Sequence, residues 1–214
     1  MMHSAKVHCP SPYQLTLHTE PGAELLAFVR QQFSRHHAAS IDSLMPWQCS
    51  LRDGKQALVA SVGLRSAALG PLFLEHYLEA PIEQQLAQAL QQPVARDEIL
   101  EVGNLAATSG HARLLFLSMA RYLASQRFRY VVFTATDKVQ EIIQQLGLSP
   151  IHLAQASAER VPDASVWGSY YQRSPMVLAG EIKEGWRHLQ TLPAVLDKLC
   201  WLPESPAGLP REVR

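Results

Sequence analysis

Residues 98–126, EILEVGNLAATSGHARLLFLSMARYLASQ, constrain the fold more than any other part of the chain. They read as a strand, a short loop with one glycine, and an amphipathic helix. Leu115, Met119, Tyr122 and Leu123 stand at helical spacing on that last piece. A strand that runs through such a loop into a helix start presents backbone amides that suit an anion. Two polar residues, Glu101 and Asn104, interrupt the apolar strand, and burying them costs free energy unless they have partners or a role.

The remaining pattern supplies a sheet around this unit. Tyr13–His18 alternates as a strand, and Pro21-Gly22 opens a helix through about Phe33. Ser34–Pro46 reads as a polar connection holding Arg35, His36 and His37. Asp53-Gly54 between two alternating runs, Trp47–Arg52 and Gln56–Ser66, signals a hairpin. Phe73–Glu79 and Ile82–Gln91 read as helical pieces on either side of Pro81. RYVVFTA at Arg129–Ala135 has the composition of a strand buried on both faces. A helix follows from Asp137 as N-cap to a stop at Gly147. Strands are expected at Pro150–Ala156 and Pro175–Ala179, with a loop over 157–174 between them. A helix over 184–199 is interrupted by Pro193, and 203–214 reads as disordered. This order predicts one domain over 13–190, a loose arm at 1–12 and a partly disordered extension at 191–214. The fold class is α/β (α+β) with a mixed sheet, and the strand–helix–strand units after residue 98 should be right-handed crossovers.

Composition narrows the function classes. The 214 residues carry no formal net charge and no run of like charges, so no nucleic-acid partner is expected. Cys9, Cys49 and Cys200 lie far apart and form neither a metal spacing nor a disulfide framework. Free thiols fit a cytoplasmic protein. The histidines show no metal-ligand spacing, so no metal is expected. The N-terminus lacks the apolar core of a signal peptide, and no apolar run approaches membrane-spanning length. Peripheral membrane contact and a homodimer stay open.

The order of elements from about 98 to 156 resembles the GNAT acyltransferase superfamily, whose central sheet is mixed and splayed. In that superfamily a strand leads into a loop of pattern Q/R-x-x-G-x-G/A that holds the pyrophosphate of acyl-CoA. Gly110-His111-Ala112 fits its second half, while Ala107 stands where the Gln or Arg would be. The helix ending EIIQQLGL lacks the tyrosine that commonly serves there as general acid. EVGNLA, VVFTAT, LGL-P-LA, WG-YY and the P-x-V at Pro175–Val177 together resemble the thermostable hemolysin family over roughly residues 25–186. That family is related to GNAT enzymes and to acyl-homoserine-lactone synthases. The synthases carry Glu-x-Ser/Gly-Arg on the equivalent strand; Glu101-Val102-Gly103-Asn104 resembles it, with asparagine in place of arginine.

The resemblance implies roles that the residue types can fill. Simple alternation puts Glu101 and Gly103 on one strand face and Val102 and Asn104 on the other. Glu101 can accept a proton from an attacking amine if burial raises its pKa; the alternative is a carboxylate paired with Arg113 or Arg65. Asn104 can orient a substrate carbonyl, or satisfy a bulge at Gly103. Leu105, Ala106 and Ala107 lead into Thr108, Ser109, Gly110, His111, Ala112 and Arg113, the candidate cradle for a phosphopantetheine donor. A plain N-cap by Thr108 or Ser109 is the competing reading, and His111 is expected to face solvent. Thr134 and Thr136 end a strand where ligands bind in open α/β sheets, or serve strand propensity and capping. Trp167, Tyr170 and Tyr171 can wall an acceptor or acyl pocket, touch a membrane interface, or pack on the sheet.

The expectation is an acyltransferase that moves an acyl group from acyl-CoA or acyl-carrier protein to an amine of a small molecule. Two alternatives stand beside it. One is a membrane-active, non-enzymatic hemolysin, for which 82–91 is the best lytic segment. The other is a GNAT-fold protein that binds acyl-CoA without turnover.

Overall fold

The computed structural model describes residues 11–210. Met1–Pro10, which include Cys9 and most of the expected arm, and Arg211–Arg214 lie outside the described residues. Seven strands form one sheet: β1 (Gln14–His18), β2 (Trp47–Arg52), β3 (Leu58–Ser66), β4 (Ile99–Ala107), β5 (Tyr130–Ala135), β6 (Ile151–Gln155) and β7 (Met176–Glu181). Their order is β1-β2-β3-β4-β5-β7-β6. Neighbours are antiparallel except β4 and β5, which run parallel and are joined through a helix. The helices are α1 (Ala23–His37), α2 (Ile82–Leu90), α3 (Ala112–Ala124), α4 (Asp137–Gln145), α5 (Ile182–Leu189) and α6 (Pro193–Leu196).

The helices cover both faces. Leu100 and Val131 point toward α3, joining Leu115, Met119 and Tyr122 in the largest core. Ile99, Tyr130 and Val132 point the other way, toward Leu74, Tyr77 and the Ile82 and Leu86 of α2. Alternation along β4 and β5 thus builds a core on each side. Val29 and Phe33 of α1 pack over Ala106 at the far end of β4. The apolar positions of α2 are therefore occupied by the core, and among the described residues no helix is long and apolar enough to cross a membrane.

Several boundaries differ from the sequence reading. α1 continues to His37, with Ala38 in the left-handed region closing it, so Arg35, His36 and His37 belong to its last turn. Thr136, not Asp137, is the N-cap of α4. The piece after Pro71 is a 3-10 turn over Phe73–Tyr77. The helix expected over 184–199 begins earlier, at Ile182; α5 ends at Leu189 and α6 restarts at Pro193, where the interruption was expected. β7, the last strand in the chain, inserts between β5 and β6.

The expected disorder of 203–214 is not what residues 203–210 show. Arg121 donates to the Pro203 carbonyl at 2.8 Å and Tyr122 to the Ala207 carbonyl at 2.8 Å. The Leu209 amide donates to Gln126 Oε1 at 2.8 Å, and Leu209 itself is buried. The segment lies as a strap on α3, held through its main chain, which a composition-based reading cannot detect.

Candidate active site

The parallel pair β4–β5 holds register only from Ile99–Tyr130 to Val102–Phe133. Beyond Val102 the two strands separate. β4 keeps its bonds to β3, and β5 keeps its bonds to β7. The β5-facing edge of residues 103–107 therefore has no strand partner. The parting coincides with a bulge, where the β3–β4 register slips between Ser61 and Gly63. Asn104 sits in it with φ 46°, a left-handed conformation that asparagine tolerates better than most residues.

The bulge overturns the simple alternation expected for this strand. Asn104 Oδ1 accepts from the Met45 amide at 2.9 Å and from Gln48 Nε2 at 3.3 Å. It lies 3.0 Å from where a Cβ on Gly63 would stand, so Asn104 faces the same side as Glu101. Gly63 and Gly103 are register partners, and a Cβ on either would meet Met45. These two strand glycines make room for the 40–46 loop to lie on the bulge. Asn104 thus satisfies the bulge with its oxygen, while its Nδ2 has no acceptor among the described residues.

Glu101 is 3% exposed. Its Oε1 accepts from the Leu74 amide at 3.1 Å and its Oε2 from the Phe73 amide at 3.4 Å. Burial dominates and pushes the carboxyl up from 4.5 to about 7, against the downward pull of those amides and of Arg65. The expected pairing with Arg113 or Arg65 is absent: no cation lies within ion-pair distance of Glu101 among the described residues. The turn that donates to Glu101 is itself fixed by Arg96. This guanidinium bonds Glu75 through both terminal nitrogens at 2.7 and 2.8 Å and reaches the Ala67 and Gly70 carbonyls. Burial works to raise Glu75, but Arg96 and the Ile82 and Leu72 amides outweigh it and hold that carboxyl at about 2.

At the other end of the split, β4 runs into α3 through Thr108–His111. Thr108 is spent on local structure: its amide and hydroxyl donate to the Val59 carbonyl, and its hydroxyl meets His111 Nδ1 at 2.9 Å. No side chain caps α3. The amides of Ser109, Gly110, Ala112, Arg113 and Leu114 have no acceptor among the described residues. The competing reading of a plain Thr or Ser cap therefore does not describe this helix start. Gly110 has φ 85° with nothing within 4 Å of a would-be Cβ, so the loop is open to close approach. His111 is half-buried and packs edge-on against Tyr13 at 5.9 Å.

One cleft of about 1250 Å³ joins these features through the split. Its walls include Glu101, Asn104, Leu105, Ala106, Ala107, Thr108, Ser109, Gly110 and Ala112, together with Thr134, Thr136, Trp167 and Tyr170. His111, Arg113 and Tyr171 stand outside those walls. Tyr171 instead shares a 2.8 Å hydrogen bond with Tyr77 behind the aromatic wall. Thr136 caps α4 without a side-chain bond to it. Trp167 contacts Phe73 and Tyr170 at ring distances of 5.3 and 5.4 Å. Burial raises the Tyr170 hydroxyl, which keeps its proton at neutral pH and lies 3.5 Å from the Thr134 carbonyl.

The WGSYY loop is positioned by α1. The Ser169 amide donates to the His37 carbonyl at 2.7 Å, and Ser40 donates to the Val166 carbonyl at 2.7 Å. A Cβ on Gly168 would stand 2.1 Å from the His37 carbonyl oxygen, and its φ is 53°. Only glycine lets the two backbones meet there.

The profile of the thermostable hemolysin family matches residues 16–186, most of the chain. The chain belongs to the thermostable hemolysin family. Among solved structures, similarity is to the acyl-homoserine-lactone synthases and a related enzyme, with a GNAT-like fold. TofI in an apo form matches at TM-score 0.55 and 15% identity, covering 85% of this chain and 99% of that one. BjaI, a CoA-dependent acyl-homoserine lactone synthase with SAM and isopentyl-CoA, matches at TM-score 0.57 and 14% identity, covering 94% and 96%. FeeM, an N-acyl amino acid synthase from uncultured soil microbes, matches at TM-score 0.55 and 14% identity, covering 84% and 99%. No curated protein matches the chain in sequence. This hemolysin-family chain therefore has the mixed, splayed GNAT-like sheet that its motifs predicted.

Sequence reasoning did not reach Met45, Gln48, Phe73 or Leu74. The paired glycines 63 and 103 are the signal that could have found the first two. Nothing in the sequence marks Phe73 and Leu74, because they act through backbone amides.

Proposed function

We propose that this hemolysin-family protein is an N-acyltransferase that takes an acyl thioester, acyl-CoA or acyl-carrier protein, and transfers the acyl group to the amine of a small molecule. The observation that carries the proposal is the cleft joining the uncapped amides of Ser109, Gly110 and Ala112 to a buried, near-neutral carboxyl through a split sheet. The amides suit the donor's phosphates. The unpaired edge of residues 103–107 suits an extended pantetheine, and Asn104 Nδ2 suits the thioester carbonyl oxygen. Glu101 takes the proton that the amine loses on attack. The shared fold with synthases that act on acyl-CoA and make N-acyl amino acids supports the same reading.

The chemistry asks little beyond positioning and a modest base. Holding amine and thioester together supplies much of the acceleration, and a general base with a pKa near 7 contributes about 10²–10⁴-fold. Thiol release from a panel of acyl-CoA donors, measured against a mixed amine pool, tests the proposal. Glu101→Gln should lower kcat at least ~10²-fold at pH 8 while leaving the Kd for coenzyme A unchanged. Activity of the parent protein should rise with pH to a plateau above about 7, as Glu101 loses its proton. Unchanged turnover in Glu101→Gln would remove that residue from the reaction. Coenzyme A binding with no release from any donor would favour a non-catalytic binding protein.

A further inference from the structure

Arg65 is a cation in the cleft wall with no ion-pair partner among the described residues. It is the register partner of Glu101 on β3 and lines the same cavity. Its Nε is buried and has no hydrogen-bond partner. Among the described residues no carboxylate lies within ion-pair distance of it, whereas Arg52, Arg96 and Arg160 all have one. The reason is geometric. The adjacent Glu101 turns its oxygens toward the Phe73 and Leu74 amides rather than into an ion pair with the guanidinium. Arg65 is held beside the 67–72 loop, with one terminal nitrogen 3.9 Å from the position of a Cβ on Gly70. A buried polar group left unpaired in a cavity wall calls for an explanation, and a planar guanidinium is matched by a carboxylate.

We infer that the acceptor is an α-amino carboxylate, with Arg65 receiving its carboxylate while Glu101 faces its amine. The inference rests on the acyltransferase reading and narrows it. A cation and a proton acceptor on neighbouring positions of one sheet face match a carboxylate and an amine that share one carbon. Phe73, Trp167 and Tyr170 wall the same side of the cleft, so the substituent on that carbon is apolar or aromatic. In the reaction the amine nitrogen bonds to the thioester carbonyl carbon and the carbon–sulfur bond breaks. The thiolate leaves with the electron pair and takes up one proton. The proton lost by the nitrogen passes to Glu101 and then to solvent. The products are an N-acyl amino acid and the free thiol, with no oxidant or reductant needed.

The test compares L-phenylalanine with phenethylamine, which lacks the carboxylate. Acyl transfer and equilibrium binding are measured for the parent protein, Arg65→Gln and Arg65→Lys. The parent should favour L-phenylalanine over phenethylamine roughly 10- to 100-fold in kcat/KM and in Kd. Arg65→Gln should erase that ratio through KM, and Arg65→Lys should retain part of it. Equal use of phenethylamine by the parent protein, with thiol release intact, overturns the inference and leaves the transferase reading standing. A loss in Arg65→Gln that is equal for both amines would make Arg65 only a counter-charge to Glu101, and also overturns it. If no amine supports release, the binding arm decides: absence of any carboxylate-dependent binding overturns the inference, and coenzyme A binding judges the transferase reading separately. Matching thermal melts of the variants and the parent check that each is folded.

Discussion

Both oxygens of Glu101 point at amides, and neither amide supplies a full charge to offset the loss of water. The carboxyl therefore stays protonated to about pH 7, well above the 4.5 of a solvated glutamate. The consequence for stability has a definite sign. Between those two values the folded protein holds a proton that the unfolded chain has lost, so stability falls as pH rises from 4.5 through about 7 and then levels. Glu101→Gln removes this slope. The stability of Glu101→Gln relative to the parent should therefore increase by about 3 kcal/mol between pH 4.5 and pH 8. Urea unfolding at the two pH values measures it, and a difference that does not change with pH would contradict a buried, near-neutral carboxyl. Glu101 and Asn104 were legible as polar interruptions of an apolar strand. Their environments were not. The face of Asn104 depends on a bulge that no alternation rule carries, and the donors to Glu101 come from a turn nearly thirty residues earlier, through backbone atoms that have no sequence signature.

At the scale of elements, the split between β4 and β5 depends on neighbours that hold each strand from its other side. β3 grips β4 past the bulge, and β7 grips β5 to its end. The aromatic wall of the cleft depends in turn on α1, because the WGSYY loop crosses the His37 and Ala38 carbonyls with no room for a side chain at Gly168. Gly168→Ala should cost about 2–4 kcal/mol, since the clash is with backbone and the φ is strained for any other residue. Thermal or urea unfolding should show that loss together with weaker amine binding and an unchanged Kd for coenzyme A, whose cradle lies on α3. A fully stable Gly168→Ala variant would mean that the loop is not clamped as described. The hairpin, the central strand–loop–helix unit and α4 were readable from turn residues and periodicity. The insertion of β7 between β5 and β6 was not, because strand order is set by long-range pairing. The continuation of α1 through Arg35–His37 was hidden by polar residues, which in fact form the last turn beside the cleft.

For the whole molecule, the question is how a GNAT-like fold sits within a family named for lysis. The helix best suited by sequence to touch a membrane, α2, spends Ile82 and Leu86 on the core. The cleft is lined by the Ser109, Gly110 and Ala112 stretch at the start of α3, by Glu101 with the aromatic residues Phe73, Trp167 and Tyr170, and by the β4 edge that has no strand partner. The strap of residues 203–210 braces α3 from outside through hydrogen bonds that Arg121, Tyr122 and Gln126 make to its main chain. Such contacts leave no compositional trace, which is why this part of the chain read as disorder. The central claim is that the cleft holds a thioester donor and its acceptor across one split sheet. A crystal structure with bound coenzyme A tests it most directly. The account predicts the diphosphate against the amides of Ser109, Gly110 and Ala112 and the sulfur between β4 and β5 beside Asn104. Coenzyme A bound away from the split, or no binding at millimolar concentration, would contradict it.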